Sequence, residues 1–195
     1  TISVGEILPA YCPSSAFTDL DSTQWYHDYA CYVLRNGLMK GTGATTFAPY
    51  APLTRGQMVT ILYRAAGEPE VTGASPFSDV VQGSYYEKAV IWAAEQNITE
   101  GVSATAFAPY ADTTREQMVT FLYRFARLQG ADVTATGSLE HYSDAEQVSP
   151  WAVDAMIWAV EQGIVHGTAA DILNPRGVAR RIQAAKVMAV WDQKF

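Results

Sequence analysis

The sequence predicts an all-α fold built from three helix–loop–helix repeats that share one core. Three observations predict it. Two long stretches match each other at a constant spacing of 60 residues, Thr46 against Ala106. A third, more worn stretch keeps the same landmarks. Each copy carries two apolar patterns at helical spacing, and one such helix pair buries too little surface to stand alone.

The strongest match sets Thr46-Phe47-Ala48-Pro49-Tyr50-Ala51 against Ala106-Phe107-Ala108-Pro109-Tyr110-Ala111. It continues through Thr54-Arg55-Gly56-Gln57-Met58-Val59-Thr60 and Thr114-Arg115-Glu116-Gln117-Met118-Val119-Thr120, and ends on Leu62-Tyr63-Arg64 and Leu122-Tyr123-Arg124. Upstream, Phe17-Thr18-Asp19 pairs with Phe77-Ser78-Asp79, Trp25 with Tyr85, and Gly41 with Gly101. The third copy opens on Tyr142-Ser143-Asp144, with Trp151, Gly167, Leu173-Asn174-Pro175, Arg181 and Gln183 at the corresponding places. The expected organisation is an N-terminal segment 1–16 and repeats 17–66, 77–126 and 142–193. Segments 67–76 and 129–138, rich in Gly, Thr, Ala and Pro, read as linkers.

The first helix of each copy is expected from Trp25, Tyr85 or Trp151 to just before Gly37, Asn97 or Gly163. Those last residues are types that take the left-handed conformation after a helix end. The second helix is expected to start at Thr54 or Thr114, where Gln57 and Gln117 complete a capping box. In the third copy Arg180 stands at the cap position. That helix, roughly 179–191, loses the side-chain cap and depends more on packing. The link between helices is read as an irregular loop of fixed length pinned by its aromatic residue.

The bulk numbers exclude several functions. The chain has 195 residues, 49% hydrophobic and 17% charged, with a net charge of −7. This is ordinary for a folded domain. An acidic chain makes a poor general ligand for nucleic acid, so no nucleic-acid partner is expected. No apolar run reaches the ~20 residues that span a bilayer, so no membrane insertion is expected. Thr1–Tyr11 lacks the pattern of a signal peptide, as a mature or excised fragment also would. Cys12 and Cys31 do not have the spacing of a metal site. They could form a disulfide, stabilising by about 3 kcal/mol in the chain-entropy model. Alternatively Cys31 is a plain core residue, since Ile91 and Ile157 hold its place in the other copies. His27, His141 and His166 occupy non-equivalent places and suggest no metal; no cofactor is expected.

The order aromatic-x-Asp, Trp/Tyr, Gly, Phe-x-Pro, Thr-Arg-x-Gln resembles the S-layer homology family of bacterial surface proteins, from Phe17 onward. The resemblance implies a pseudo-threefold spindle with one helix from each copy in a central bundle. It implies grooves between neighbouring copies that bind an anionic secondary cell-wall polysaccharide, often pyruvylated. It also implies an extracellular location at the cell wall and fusion to a larger surface protein or enzyme, which the chain anchors non-covalently.

Arg55, Arg115 and Arg181 are the leading candidates for binding, and the residues argue for them without the family. Each follows a helix N-cap, where a cation opposes the helix dipole at a cost of about 0.3–1 kcal/mol. An anion held jointly by the guanidinium and the free helix amides would reverse that cost. The alternatives are pairing with the same copy's Asp19, Asp79 or Asp144, or simple solvation. Thr54 and Thr114 belong to the same element. Trp25, Tyr85 and Trp151 could stack on sugar rings, although packing between helices is the commoner role of such residues. Gly41, Gly101 and Gly167 either let a ligand approach the backbone or serve a turn that needs positive φ. No nucleophile–base pair or carboxylate pair stands out, so no catalysis is expected. The competing reading is a helical-repeat scaffold for protein partners.

Overall fold

The computed structural model describes residues 12–195; Thr1–Tyr11, the stretch read as lacking a signal peptide and as most of segment 1–16, lies outside the described residues. Among the described residues the regular structure is helical, with extended pairing limited to isolated bridges such as Thr54 with Asp112. The helices are α1 (His27–Arg35), α2 (Arg55–Ala65), α3 (Glu87–Glu95), α4 (Arg115–Leu128), α5 (Val153–Glu161) and α6 (Arg181–Lys194). The expected all-α class is what the chain adopts.

The helix ends follow the local sequence. After α1, α3 and α5, Gly37, Asn97 and Gly163 take φ of 69°, 56° and 67°. At α3 the Ile98 amide reaches back to the Ala93 carbonyl at 2.8 Å and the Asn97 amide to Ala94 at 3.1 Å, the Schellman arrangement. Ile98 is fully buried and seals that turn. Thr54 and Thr114 cap α2 and α4 in complete boxes with Gln57 and Gln117. At α6 only half the box survives. The Arg180 amide donates to Gln183 Oε1 at 2.9 Å, but the arginine side chain has no acceptor to offer in return.

The helices that pack are not those of a single copy. Contacts divide the chain into two compact units, the described part of Thr1–Ala51 with Arg180–Phe195, and Pro52–Ala179. In the first unit α1 of copy one packs on α6 of copy three. In the second, α2 of copy one packs on α3 of copy two, and α4 of copy two on α5 of copy three. Sequence repeat and packed pair are therefore out of phase by one helix.

In the first unit Cys12 and Cys31 form a disulfide that ties the Pro13–Ala16 turn to α1. Cys31 is also fully buried, so it holds both places the sequence left open. In the second unit, Leu53, Thr113 and Ala179, one from each copy, close a ring of backbone hydrogen bonds. Leu53 donates to Ala179, Ala179 to Thr113, and Thr113 to Leu53, each at 2.8 Å. All three residues are fully buried.

Each Phe-x-Pro loop is braced from its own copy. Asp79 accepts the Phe107 amide at 2.8 Å and the Ala108 amide at 2.7 Å. Asp19 does the same for Phe47 and Ala48, and Asp144 for Leu173 and Asn174. The second residue of each pair sits in left-handed backbone, with φ of 55° at Ala48, 58° at Ala108 and 54° at Asn174. An alanine there is strained by about 1 kcal/mol, and the two charge-assisted bonds hold it. Phe47, Phe107 and Leu173 are then fully buried as the plugs of the three loops.

Burial pushes the Asp79 carboxyl up, but the Phe107 and Ala108 amides and the charge of Arg55 outweigh it and leave it below the ordinary carboxylate value. The folded chain therefore favours the ionised form. Its contribution to stability is complete above about pH 4 and is lost as pH falls through the lower folded value. We expect Asp79→Asn to flatten this part of the acid-unfolding profile, measured as denaturation midpoints from about pH 5 to pH 2. Parallel profiles for parent and variant would contradict the brace.

Candidate functional site

The three helix-start arginines are buried, each only 5% exposed. Each reaches into the loop of the next copy in a closed order. Arg55 Nε donates to the Phe107 carbonyl at 2.8 Å, Arg115 Nε to Leu173 at 3.2 Å, and Arg181 Nε to Phe47 at 2.9 Å. The Arg55 guanidinium lies 4.8 Å from the Phe107 ring centre and 5.2 Å from that of Phe121; Arg181 lies 4.9 Å from that of Phe47. Burial pulls Arg55 and Arg115 below the ordinary arginine value, against attraction from Asp79 at Arg55 and from Tyr142 and Asp144 at Arg115. Arginine remains charged through any such shift. The aspartate that attracts Arg55 and Arg115 is thus the next copy's, not the same copy's.

The amides at these helix starts are already used, which corrects the expectation of free donors for an anion. At α2 the Arg55 amide donates to Ala111 at 3.0 Å and the Gly56 amide to Pro109 at 2.9 Å. At α4 the Arg115 and Glu116 amides donate to Gly177 and Pro175, and at α6 the Arg181 and Ile182 amides donate to Ala51 and Pro49. A helix must satisfy its first amides somewhere, and the next copy's loop carbonyls do so. These amides are therefore not available to an anion, and the guanidinium is the group at this place that could offer donors.

A groove of about 460 Å³ opens in the second unit above Arg55. Arg55 of copy one is in its floor. Gly101 and its neighbours from copy two form one wall, α4 forms the other through Gln117, Thr120 and Arg124, and Trp151 of copy three stands at the mouth. Trp151 is 53% exposed. Arg124 donates to the Ile98 carbonyl at 3.2 Å and lies 3.7 Å from Glu100. A second depression of about 290 Å³ shares Glu100, Thr120, Arg124 and Trp151 and extends the groove to Arg127. The arrangement offers a buried cation, a second cation on the wall and an exposed aromatic face, features that suit an acidic saccharide.

Arg55, Gly101 and Trp151 come from three different copies and meet in this groove. Arg115 sits instead against the carbonyl of His166, just before Gly167, and Arg181 against that of Lys40, just before Gly41. Trp25 and Tyr85 are 57% exposed, like Trp151, so the commoner packing role does not hold for them. The buried partner is the next residue: Tyr26 at 2%, Tyr86 at 0% and Ala152 at 0%. Trp25 lies 6.0 Å from the Lys186 ammonium of α6. Thr54 and Thr114 cap helices and are absent from the groove lining. The link glycines answer to close approach by the loop itself. A Cβ on Gly101 would lie 2.6 Å from the Ser103 and Ala106 carbonyls, and Gly41 and Gly167 meet the equivalent oxygens.

Thr99, Gln117, Thr120 and Arg124 also line the groove, and none of them stands out as a binding residue from sequence. The signal was available for Arg124, since the 60-residue match ends on Arg64 and Arg124. It lies in the third turn of α4, a helix whose burial the repeat alone does not reveal.

The site is thus that of a three-copy helical module in which one copy's arginine is seated in the next copy's loop. A family model described as the S-layer homology domain matches residues 16–59, 76–119 and 141–185. The chain belongs to the S-layer homology domain family. It is 33% identical over 78% of its length to the Surface-layer 125 kDa protein of Lysinibacillus sphaericus, covering 13% of that protein. It is 29% identical over 89% of its length to an Endoglucanase of Bacillus sp. (strain KSM-635), covering 18% of it. It is 25% identical over 98% of its length to an S-layer protein of Bacillus thuringiensis subsp. finitimus, covering 23% of it. The chain thus spans less than a quarter of each of these relatives.

Proposed function

We propose that this chain is the wall-binding module of a larger surface protein or enzyme, and that it holds an anionic, pyruvylated wall polysaccharide in its groove. Membership of the S-layer homology family gives the coarser part: a location at the cell surface, associated with the wall, and an anchoring role. The relatives include both surface-layer proteins and enzymes, each matched over a small part of its length. That pattern fits a module carried by proteins of different activities, and the catalysis of such enzymes need not reside here. The observation that carries the finer part is Arg55, a charged side chain 5% exposed in the floor of a groove with Trp151 open at its mouth.

The test is co-sedimentation with purified cell-wall polysaccharide, before and after removal of its pyruvyl groups, beside a capture from protein lysate. Retention by the intact polymer that drops at least tenfold on depyruvylation supports the reading. A tenfold loss corresponds to about 1.4 kcal/mol, within reach of one charge-assisted hydrogen bond. Binding unaffected by depyruvylation would remove the pyruvyl group from the reading. Retention of lysate protein with no retention of polymer would favour the protein-scaffold alternative.

A further inference from the structure

The three arginines are equivalent in sequence but not in what they hold. Arg115 donates through Nη2 to the His166 carbonyl at 2.9 Å, and Arg181 through Nη2 to the Lys40 carbonyl at 2.9 Å. The equivalent acceptor for Arg55 is the carbonyl of Glu100. Among the described residues the Arg55 guanidinium donates through Nε alone. Its terminal nitrogens are the part of the guanidinium left over for the groove it lines.

The difference traces to one peptide. Gly101 has φ of 81°, whereas Gly41 and Gly167 are not in left-handed backbone. A peptide plane turns over when ψ of one residue and φ of the next change together. The left-handed φ at Gly101, with no Arg55 bond to the Glu100 carbonyl among the described residues, points to a Glu100–Gly101 plane turned relative to the other copies. The turned amide has its own acceptor: Gly101 N–H donates to Thr99 Oγ1 at 3.1 Å. Such a hydroxyl-to-second-amide bond is a common way for threonine to fix a turn. Met39 and Val165 stand at this place in the other copies and have no hydroxyl. The Glu100 side chain meanwhile lies beside Arg124 on the groove wall.

We propose that Thr99 selects the groove this module uses, by holding the Glu100–Gly101 peptide turned so that Arg55 keeps its terminal nitrogens for the carboxylate of an acidic saccharide. This rests on the saccharide-binding reading above and assigns that activity to one groove. Thr99 is a positioning residue: it is 4% exposed and acts through the peptide and Arg55. Arg115 and Arg181, with Nη2 committed to a backbone carbonyl, must break that bond before they can offer the same fork.

The test compares the parent chain with Thr99→Val and Thr99→Ser by calorimetric titration with purified cell-wall polysaccharide, together with crystal structures of the unliganded proteins. Valine keeps the shape of the buried side chain and removes only the acceptor. Thr99→Val should bind at least tenfold more weakly, Thr99→Ser should bind like the parent, and both should unfold within a few degrees of it. The Thr99→Val structure should show the Glu100 carbonyl on Arg55 Nη2. Parent-like binding by Thr99→Val overturns the selection, and so does a Glu100–Gly101 peptide that stays turned, as in the parent, in its structure. If the parent fails to bind the polymer, the function reading fails, while the peptide orientation in Thr99→Val still decides the role of Thr99.

Discussion

Arg115→Ala is expected to lower the stability of the chain by about 3 kcal/mol or more, since hydrogen bonds from a charged donor contribute about 1.5–3 kcal/mol each. Arg115 makes two, to Leu173 through Nε and to His166 through Nη2, and is 5% exposed. Removing it leaves both carbonyls without the donor and opens a void beside the Leu173 loop. At this chain length 1 kcal/mol moves a melting midpoint by about 2–4 °C, so a fall of roughly 6–12 °C is expected. Arg115→Lys should recover little, because an ammonium cannot reproduce two donors in a fixed plane. Differential scanning calorimetry of the three proteins is the measurement; a shift below about 2 °C for Arg115→Ala would show the two bonds to be worth little. Solvated arginines at the three helix starts, an alternative the sequence leaves open, would leave melting nearly unchanged on substitution. The structure seats them in the loop of the next copy.

The parts of the fold that were legible are those decided within a few residues. The capping boxes at Thr54 and Thr114 and the left-handed ends at Gly37, Asn97 and Gly163 need only local sequence, and all are present. The repeat supplied the equivalence of the copies and hence the series Arg55, Arg115 and Arg181. What local pattern could not supply was phase. A packed pair such as α2 on α3 joins the second helix of one copy to the first helix of the next. Nothing in the period says which neighbour a helix chooses.

The same limit hid the aromatic faces. Trp25-Tyr26 and Tyr85-Tyr86 each put two aromatics at a helix start, and a shift of one residue exchanges the inside and the outside. The structure buries Tyr26 and Tyr86 and exposes Trp25 and Tyr85. Burial of the arginines was illegible for a related reason. A charge is expected outside unless it is paired, and here its acceptors are backbone carbonyls, which every sequence has.

Phe107→Ala is expected to cost about 3–5 kcal/mol, the range for removing a buried aromatic ring from a packed site. Phe107 is fully buried, its ring centre is 5.8 Å from that of Phe77, and the Arg55 guanidinium lies 4.8 Å away on its other contact. The substitution leaves the carbonyl that receives Arg55 Nε in place but removes the plug that fixes the loop around it. Polymer binding in this groove should therefore fall along with stability. Phe107→Leu provides the control, because Leu173 fills the same place in copy three and is also fully buried. A hydrophobic replacement of similar volume costs less than about 1.5 kcal/mol. Urea denaturation of the parent and both variants measures the two costs. A loss below about 1 kcal/mol for Phe107→Ala would mean the loop does not depend on its plug. Equal losses for alanine and leucine would assign the effect to contacts only a ring can make, with Arg55 and Phe77, rather than to buried volume.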